Sequence, residues 1–308
     1  MSLALLFPGQ GSQFVGMARP LAAAFPVAAR VLEEADDALG FSLSTLMAEG
    51  PEDELTATKN AQPAILVHSV AALRLVEDRL GPVAMTAGHS LGEFSAHVAA
   101  GTLSFTDALK AVRLRGELMF AAGQARPGTM AAVLGLDDDV LEDVCSRVEQ
   151  GTCVPANFNS AGQIVISGDV AGVERGMELA REAGAKRVVQ LNVSGAFHSP
   201  LMTPAAEELR AHLDVLEFRD PEVPVVSNVT ARPVAAGGQA RDLLVDQLTA
   251  PVRWAASVTT MVESGVDRFI EIGPGSVLCG LNRRNAKGLP CTSLGEPGDI
   301  DAFEGMGS

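Results

Sequence analysis

"VAMTAGHSLGEFSAHVAAG", residues 83–101, decides how the chain is read. Its first six residues are a short apolar run of the kind that forms a fully buried strand, and a helix-like stretch follows. Between the two, Gly88, Ser90 and Gly92 stand at Gly-x-Ser-x-Gly spacing. A strand turning sharply into a helix at such a triplet is a nucleophile elbow: the turn exposes the serine Oγ and the flanking glycines relieve crowding. Ser90 and Glu93 also have the spacing of a capping box, serine as N-cap and glutamate at N3. Glu93 is therefore read as structural, and the helix N-terminus beside Ser90 favours developing negative charge.

Working outward, "LALLF" (3–7), "VPVVSN" (223–228) and "RFIEI" (268–272) read as further buried strands. Helix-like stretches lie between them, notably residues 60–80 and 107–123. Apolar strands alternating with helices predict an α/β fold with a parallel sheet covered on both faces. Residues 129–194 have another rhythm. Strand "TMAAVLGL", helix "DDDVLEDVCSRVEQ", strands "CVPANFN" and "QIVISG", helix "AGVERGMELAREAG" and strand "KRVVQLNVS" follow one another. That order, β-α-β-β-α-β, is ferredoxin-like. Its start is marked by the loop composition of "GQARPGT" (123–129). The expected organisation is a large unit of residues 1–126 and 196–308 with an inserted small unit at 127–195. "GEPGDIDAFEGMGS" (295–308), acidic and Gly-rich, reads as a frayed tail.

The 308 residues, 47% of them hydrophobic, suffice for a sizeable core. A net charge of −15 argues against general nucleic-acid binding, which needs a basic surface. Cys145, Cys153, Cys279 and Cys291 form no C-x-x-C pair and are expected to be reduced thiols. "MSLALLFPGQG" lacks a basic signal-peptide start, and no apolar run approaches the roughly 18 residues of a membrane span. A cytoplasmic protein that neither crosses nor binds a membrane is expected.

A serine nucleophile needs a base. His68 lies in an apolar helical run, His97 and His212 on helices, and the side chain of His89 leaves the backbone in a different direction from that of adjacent Ser90. His198, in the loop "NVSGAFHSPLM", is the leading candidate, since loops on a scaffold suit catalytic groups. The oxyanion of acyl transfer needs two donors. One is expected from the Leu91 amide after the nucleophile, the other from the Gly-rich loop "FPGQGSQ" (7–13). Arg115 shares a helical face with Ala108, Ala111, Val112, Leu118 and Met119, whereas Arg113 should face solvent. An arginine on an apolar stripe needs an anionic partner. Position leaves two open: an internal salt bridge, or a substrate carboxylate held by the guanidinium fork.

"FPGQGSQ", "GHSLGE", "RLRGELM", "NFNSAGQIVISG", "GAFHSPLM", "SNVTARPV", "QLTAPVRW" and "EIGPGSVL" occur in this order. On these eight motifs, which span nearly all of residues 3–285, the chain resembles the malonyl-CoA:acyl carrier protein transacylases of bacterial fatty acid synthesis. The resemblance implies an α/β-hydrolase-like large subdomain with a ferredoxin-like insert. It implies Ser90 as nucleophile, His198 as base and the Gln10 and Leu91 amides as oxyanion hole. Arg115 would bind the malonyl carboxylate, and the main-chain carbonyl of Gln247 would orient the histidine in place of a triad carboxylate. Asn159 matches a position near the pocket, and Phe197 matches the malonyl-selective form of its motif, where methylmalonyl-preferring relatives carry serine.

The implied reaction is ping-pong acyl transfer from malonyl-CoA to the phosphopantetheine thiol of acyl carrier protein, with no metal and no bound cofactor. Such carriers are acidic, so a local basic patch must overcome the overall repulsion. Lys186 with Arg187, and Arg283 with Arg284 and Lys287, are candidates. Three other readings compete: a trans-acting acyltransferase serving a polyketide synthase, an acyl-thioester hydrolase, and a non-catalytic carrier-binding module.

Overall fold

The computed structural model describes residues 2–193 and 195–305. Its larger sheet has six strands in the order β10-β9-β1-β2-β7-β8. They span Leu3–Phe7 (β1), Val83–Gly88 (β2), Val225–Val226 (β7), Pro233–Val234 (β8), Arg268–Ile272 (β9) and Cys291–Leu294 (β10). All neighbours run parallel except β7 and β8. Every residue of β1 is buried, which is why this central strand reads as an unbroken apolar run rather than an alternating one. The register pairs Phe7 with Gly88, so β1 and β2 end level with each other. The loop after β1 and the turn after β2 therefore emerge side by side at the carboxyl edge of the sheet, where ligands of open α/β sheets bind.

The smaller sheet has the order β4-β5-β3-β6, all antiparallel. Its strands are Gly128–Leu134 (β3), Cys153–Ser160 (β4), Gln163–Asp169 (β5) and Arg187–Gln190 (β6). Along β3 the side chains alternate between two cores. Ala131 and Val133 join Leu141, Val144 and Val173 of the covering helices Asp138–Ser146 and Val170–Glu182. Met130 instead joins the main core of the larger unit. A two-core alternation of this kind fixes the strand register, because a slip of one residue would exchange the faces. The segment after Gln247 runs along the small sheet: Phe158 N donates to Val252 O at 2.9 Å and Val252 N to Ala156 O at 2.8 Å.

The fold corrects five expectations and adds a strand to the pattern. "VPVVSN" forms only the two-residue β7, because Ser227 N turns back to Arg232 O. The last small-sheet strand stops at Gln190; Leu191 N still donates to Met130 O of β3 at 2.9 Å, and the chain from Leu191 lines a cavity, while Ser194 of its expected range lies outside the described residues. Residues 291–294 form an edge strand that had no counterpart in the pattern. Residues 295–305 are docked rather than frayed: Pro297–Ala302 is a helix with a capping box, Ile300 is buried, and Arg79 donates to Phe303 O at 2.8 Å. The expected tail's final residues, 306–308, lie outside the described residues. Cys279 and Cys291 form a disulfide, since the fold sets their Cα atoms 5.3 Å apart; Cys145 and Cys153 remain thiols. Arg113 is only partly exposed, lying over the Phe41 ring and donating to Asn60 Oδ1 at 2.6 Å. Among the described residues no helix is long and apolar enough to cross a membrane.

Candidate active site

The elbow is built by close approach. A Cβ on Gly88 would lie 1.9 Å from the Gly92 carbonyl, and one on Gly92 would lie 2.1 Å from Phe7 O, so backbone meets backbone at both positions. The left-handed residue of the turn is Ser90 itself, at φ 51°. A non-glycine residue there is strained, and the surrounding contacts must hold it. Asn228 does so from both sides: Ser90 N donates to its Oδ1 at 2.6 Å and its Nδ2 donates to Gly88 O at 2.7 Å. The expected capping box does not form. The helix begins at Gly92 with Leu91 as N-cap and no side-chain cap, because the Ser90 hydroxyl turns to other partners. Glu93 is structural, as expected, but by a different route: its buried Oε2 accepts from Asn228 N at 3.1 Å and Gln247 Nε2 at 2.7 Å.

Ser90 Oγ lies 2.8 Å from His198 Nε2. On the other side of the ring, His198 Nδ1 is 2.8 Å from the main-chain oxygen of Gln247. A carbonyl oxygen only accepts, so Nδ1 carries the proton and Nε2 presents its lone pair to the serine. His198 is itself left-handed, at φ 56°. Burial, reinforced by the Arg115 charge, pushes its pKa down to about 3, so the ring is neutral around pH 7.

Arg115 is 1% exposed. Its Nη1 donates to Gln62 Oε1 at 2.5 Å, and its Nη2 to Gln247 Oε1 at 2.8 Å and to Ser90 Oγ at 3.1 Å. Neutral amides and a hydroxyl hold it, and among the described residues it makes no salt bridge; its Nε–H has no partner. Burial lowers its pKa to about 10, opposed by the nearby Glu93 carboxylate. Gln62 extends the array: its Nε2 donates to Thr58 Oγ1, which donates to Gln10 Oε1, each at 2.8 Å.

Ser90, His198 and Arg115 meet in a cavity of about 350 Å³, with Gln10, Leu91, Gln62 and Phe197 also lining it. Ser90 and Leu91 follow β2 of the larger sheet, and Met130 and Asn157 stand on β3 and β4 of the smaller, so the cavity is a cleft between the two sheets. The main-chain amides of Gln10 and Leu91 donate to no other group among the described residues. A second cavity, of about 690 Å³, shares Gln10, Thr56, Asn192 and Val193 with the first.

Two of the residues singled out from sequence lie outside the cavity wall. Gln247 stands behind it and contacts Ser90, His198 and Arg115. Asn159 holds His89, its Oδ1 2.8 Å from His89 Nε2. Asn228 and Gln62 were not singled out from the sequence. Gln62 had a signal, a polar residue entering an apolar helical run and 1% exposed in the fold. Asn228 had only its place in the motif "SNVTARPV", and nothing local shows its role, since its partners are 138 and 140 residues away.

Comparisons with known proteins give the family and the overall fold. The acyl transferase domain family matches residues 4–297. A malonyl CoA-acyl carrier protein transacylase of Bacillus subtilis is 48% identical, over 97% of this chain and 95% of the relative. The crystal structure of a malonyl-CoA:acyl carrier protein transacylase from Xanthomonas oryzae superposes with a TM-score of 0.94 at 44% identity, covering 97% of this chain and 96% of that one. A malonyl transacylase in complex with its type II polyketide acyl carrier protein superposes equally well, TM-score 0.94, at 42% identity over 98% of both chains.

Proposed function

This chain belongs to the malonyl-CoA:acyl carrier protein transacylase family, and from that premise we propose how its own residues transfer a malonyl group from malonyl-CoA to the phosphopantetheine thiol of acyl carrier protein, supplying fatty acid elongation. One observation carries the reading: a serine Oγ shared between a neutral imidazole at 2.8 Å and a buried guanidinium at 3.1 Å. The imidazole makes an acyl-serine; the cation beside it selects an acyl group that ends in a carboxylate.

Ser90 Oγ attacks the thioester carbon and its proton passes to His198 Nε2. The Gln10 and Leu91 amides receive the oxyanion. When the C–S bond breaks, His198 returns the proton to coenzyme A, which leaves as a thiol. In the second half the carrier thiol gives its proton to His198 and attacks the malonyl-serine ester, and the proton returns to Ser90 Oγ. The imidazolium formed at each step is buried, repelled by Arg115 and backed by a carbonyl rather than a carboxylate. Such a base suits thiol leaving groups, which need less help than an amine. Arg115 retains unused N–H donors, and a malonyl carboxylate takes them up. Phe197 narrows the cavity beside that group.

We take the inserted unit as residues 127–195; it supplies Met130, Asn157 and Leu191 to the cleft and gives the pantetheine arm a second wall. Acyl transfer of this kind calls for no metal or redox cofactor. The proposed use of a CoA thioester supports a cytoplasmic setting, whose thiol pool works against the Cys279–Cys291 bond.

The pH dependence tests the assignment of His198. A base is active when unprotonated. With a pKa near 3 rather than 6.5, His198 stays active as the pH falls, and is lost only on approach to its lowered value. In single-turnover acylation, kcat/KM should stay level from pH 7 down to about 5. A fall to half at pH 6.5, steepening to about tenfold for each pH unit below it, would show an ordinary imidazole. Glu93, raised to about 7 by burial, is the other group of the array that titrates nearby, and its carbonyl oxygen accepts in both forms.

The carrier reaches a protein of net charge −15 through local basic surface. Lys186, Arg187, Arg283, Arg284 and Lys287 are all exposed. Reversing the charge of both groups together should raise KM for carrier protein roughly tenfold and leave acylation by malonyl-CoA alone. An unchanged KM would move the docking surface elsewhere. Comparing a fatty-acid carrier with a polyketide carrier in the same assay separates the two pathways.

A further inference from the structure

Glu93 has no step in the reaction above, yet it is 1% exposed directly beneath the reacting groups. Its Oε2 accepts two hydrogen bonds, and each donor belongs to a residue that holds a different part of the site. Asn228 holds the elbow, through Ser90 N and Gly88 O. Gln247 holds everything else: its Nε2 donates to Ser90 O at 3.0 Å, its Oε1 accepts from Arg115, and its main-chain oxygen accepts from His198.

The two ends of the Gln247 amide are not interchangeable. A guanidinium only donates, so Oε1 must face Arg115, and Nε2 must face Ser90 O and Glu93. Glu93 is the side-chain acceptor that fixes this orientation. Without it, the Nε2 end keeps one backbone partner, and the amide is free to turn its oxygen off Arg115.

We propose that Glu93 is the positioning residue of the site: one carboxylate oxygen sets the Gln247 amide, and through it the direction of the Arg115 guanidinium, while steadying the Ser90 elbow through Asn228. The proposal rests on reading Ser90 as the nucleophile and Arg115 as the carboxylate clamp. Its consequence is that Glu93 controls acyl selectivity without touching the acyl group. The requirement is for an acceptor oxygen at that reach rather than for a charge.

Glu93→Gln and Glu93→Asp separate these two requirements. Glu93→Gln keeps an acceptor oxygen at the same reach and removes the charge; Glu93→Asp keeps the charge and withdraws it by one methylene. Malonyl-serine and acetyl-serine formation would be followed by intact mass in single turnovers, with thermal unfolding as the check on folding. Glu93→Gln should stay near wild type in the malonyl rate and in the malonyl-to-acetyl ratio. Glu93→Asp should malonylate on the order of 10- to 100-fold more slowly, the cost of a displaced guide, and its ratio should fall toward one. A folded Glu93→Asp with the wild-type ratio overturns the proposal, and so does a Glu93→Gln that loses the ratio. Should Glu93→Asp not fold, Glu93→Met, of similar length and without an acceptor oxygen, takes its place: its ratio should fall toward one, and a folded Glu93→Met with the wild-type ratio overturns the proposal. Wild type run alongside reports on the catalytic reading: absence of any malonyl-serine there refutes that reading, whereas a malonylated wild type with an indifferent Glu93→Asp refutes this inference only.

Discussion

Ser90→Ala should form no malonyl adduct and transfer no malonyl group, with a loss in kcat on the order of 10⁶-fold, the cost of removing an activated serine nucleophile. The fold should survive, because the hydrogen bonds that hold the elbow run through the Ser90 backbone: its N to Asn228 Oδ1 and its O from Gln247 Nε2. Only the bonds of Oγ to His198 and Arg115 are lost. The measurement is intact mass after mixing with malonyl-CoA, beside a thermal melt. Any adduct on the variant, at wild-type melting temperature, would put the acyl group on another residue.

Arg115→Ala has the second largest expected effect, and it falls on selectivity. The guanidinium is buried and held by neutral groups, so its charge is available to an anion in the cleft. Truncating one partner of a buried, hydrogen-bonded charge pair costs about 2–5 kcal/mol, or roughly 30- to several-thousand-fold in kcat/KM for malonyl-CoA. Acetyl-CoA has no carboxylate to lose, so its kcat/KM should fall far less and the preference should shift toward acetyl. Arg115→Lys keeps the charge without the fork, and should recover only part of the loss. Equal losses for malonyl- and acetyl-CoA would make Arg115 a structural partner of Gln62 and Gln247 and no clamp.

How much of this was legible in the sequence follows from the range of each interaction. β1, β9 and the second half of β2 are buried parallel strand, and burial on both faces writes itself as a local apolar run. The small unit was readable because three of its four strands are seven or eight residues long and its elements follow one another in the chain, although its four-residue edge strand β6 was read too long. β7 and β10 were not: one is two residues long, and the other is a four-residue edge strand, "CTSL", held by pairing to β9 rather than by its own pattern. Ser90 announced itself because an elbow needs local glycines, and His198 because it stands in a loop. Arg115 was legible as a buried cation, but its partners were not. Gln62 and Gln247 come from residues 53 and 132 positions away, and they are amides, not the carboxylate that a salt bridge would supply. Gln247 orients His198 with a main-chain oxygen, which no residue type encodes; only the family resemblance pointed to it. The role of Glu93 was misassigned for the same reason. Its spacing from Ser90 fits a cap, and nothing local shows that its real partners lie 135 and 154 residues on.

The central claim is that the acyl group on Ser90 goes to a carrier thiol and not to water. The most direct test is to malonylate the protein with malonyl-CoA, remove the excess, and follow the intact masses of both proteins after adding acyl carrier protein with its phosphopantetheine arm. The account predicts a malonyl adduct that persists in buffer and moves to the carrier on mixing, with mass gained there as it is lost from Ser90. An adduct that decays to free malonate at the same rate with or without carrier would contradict it.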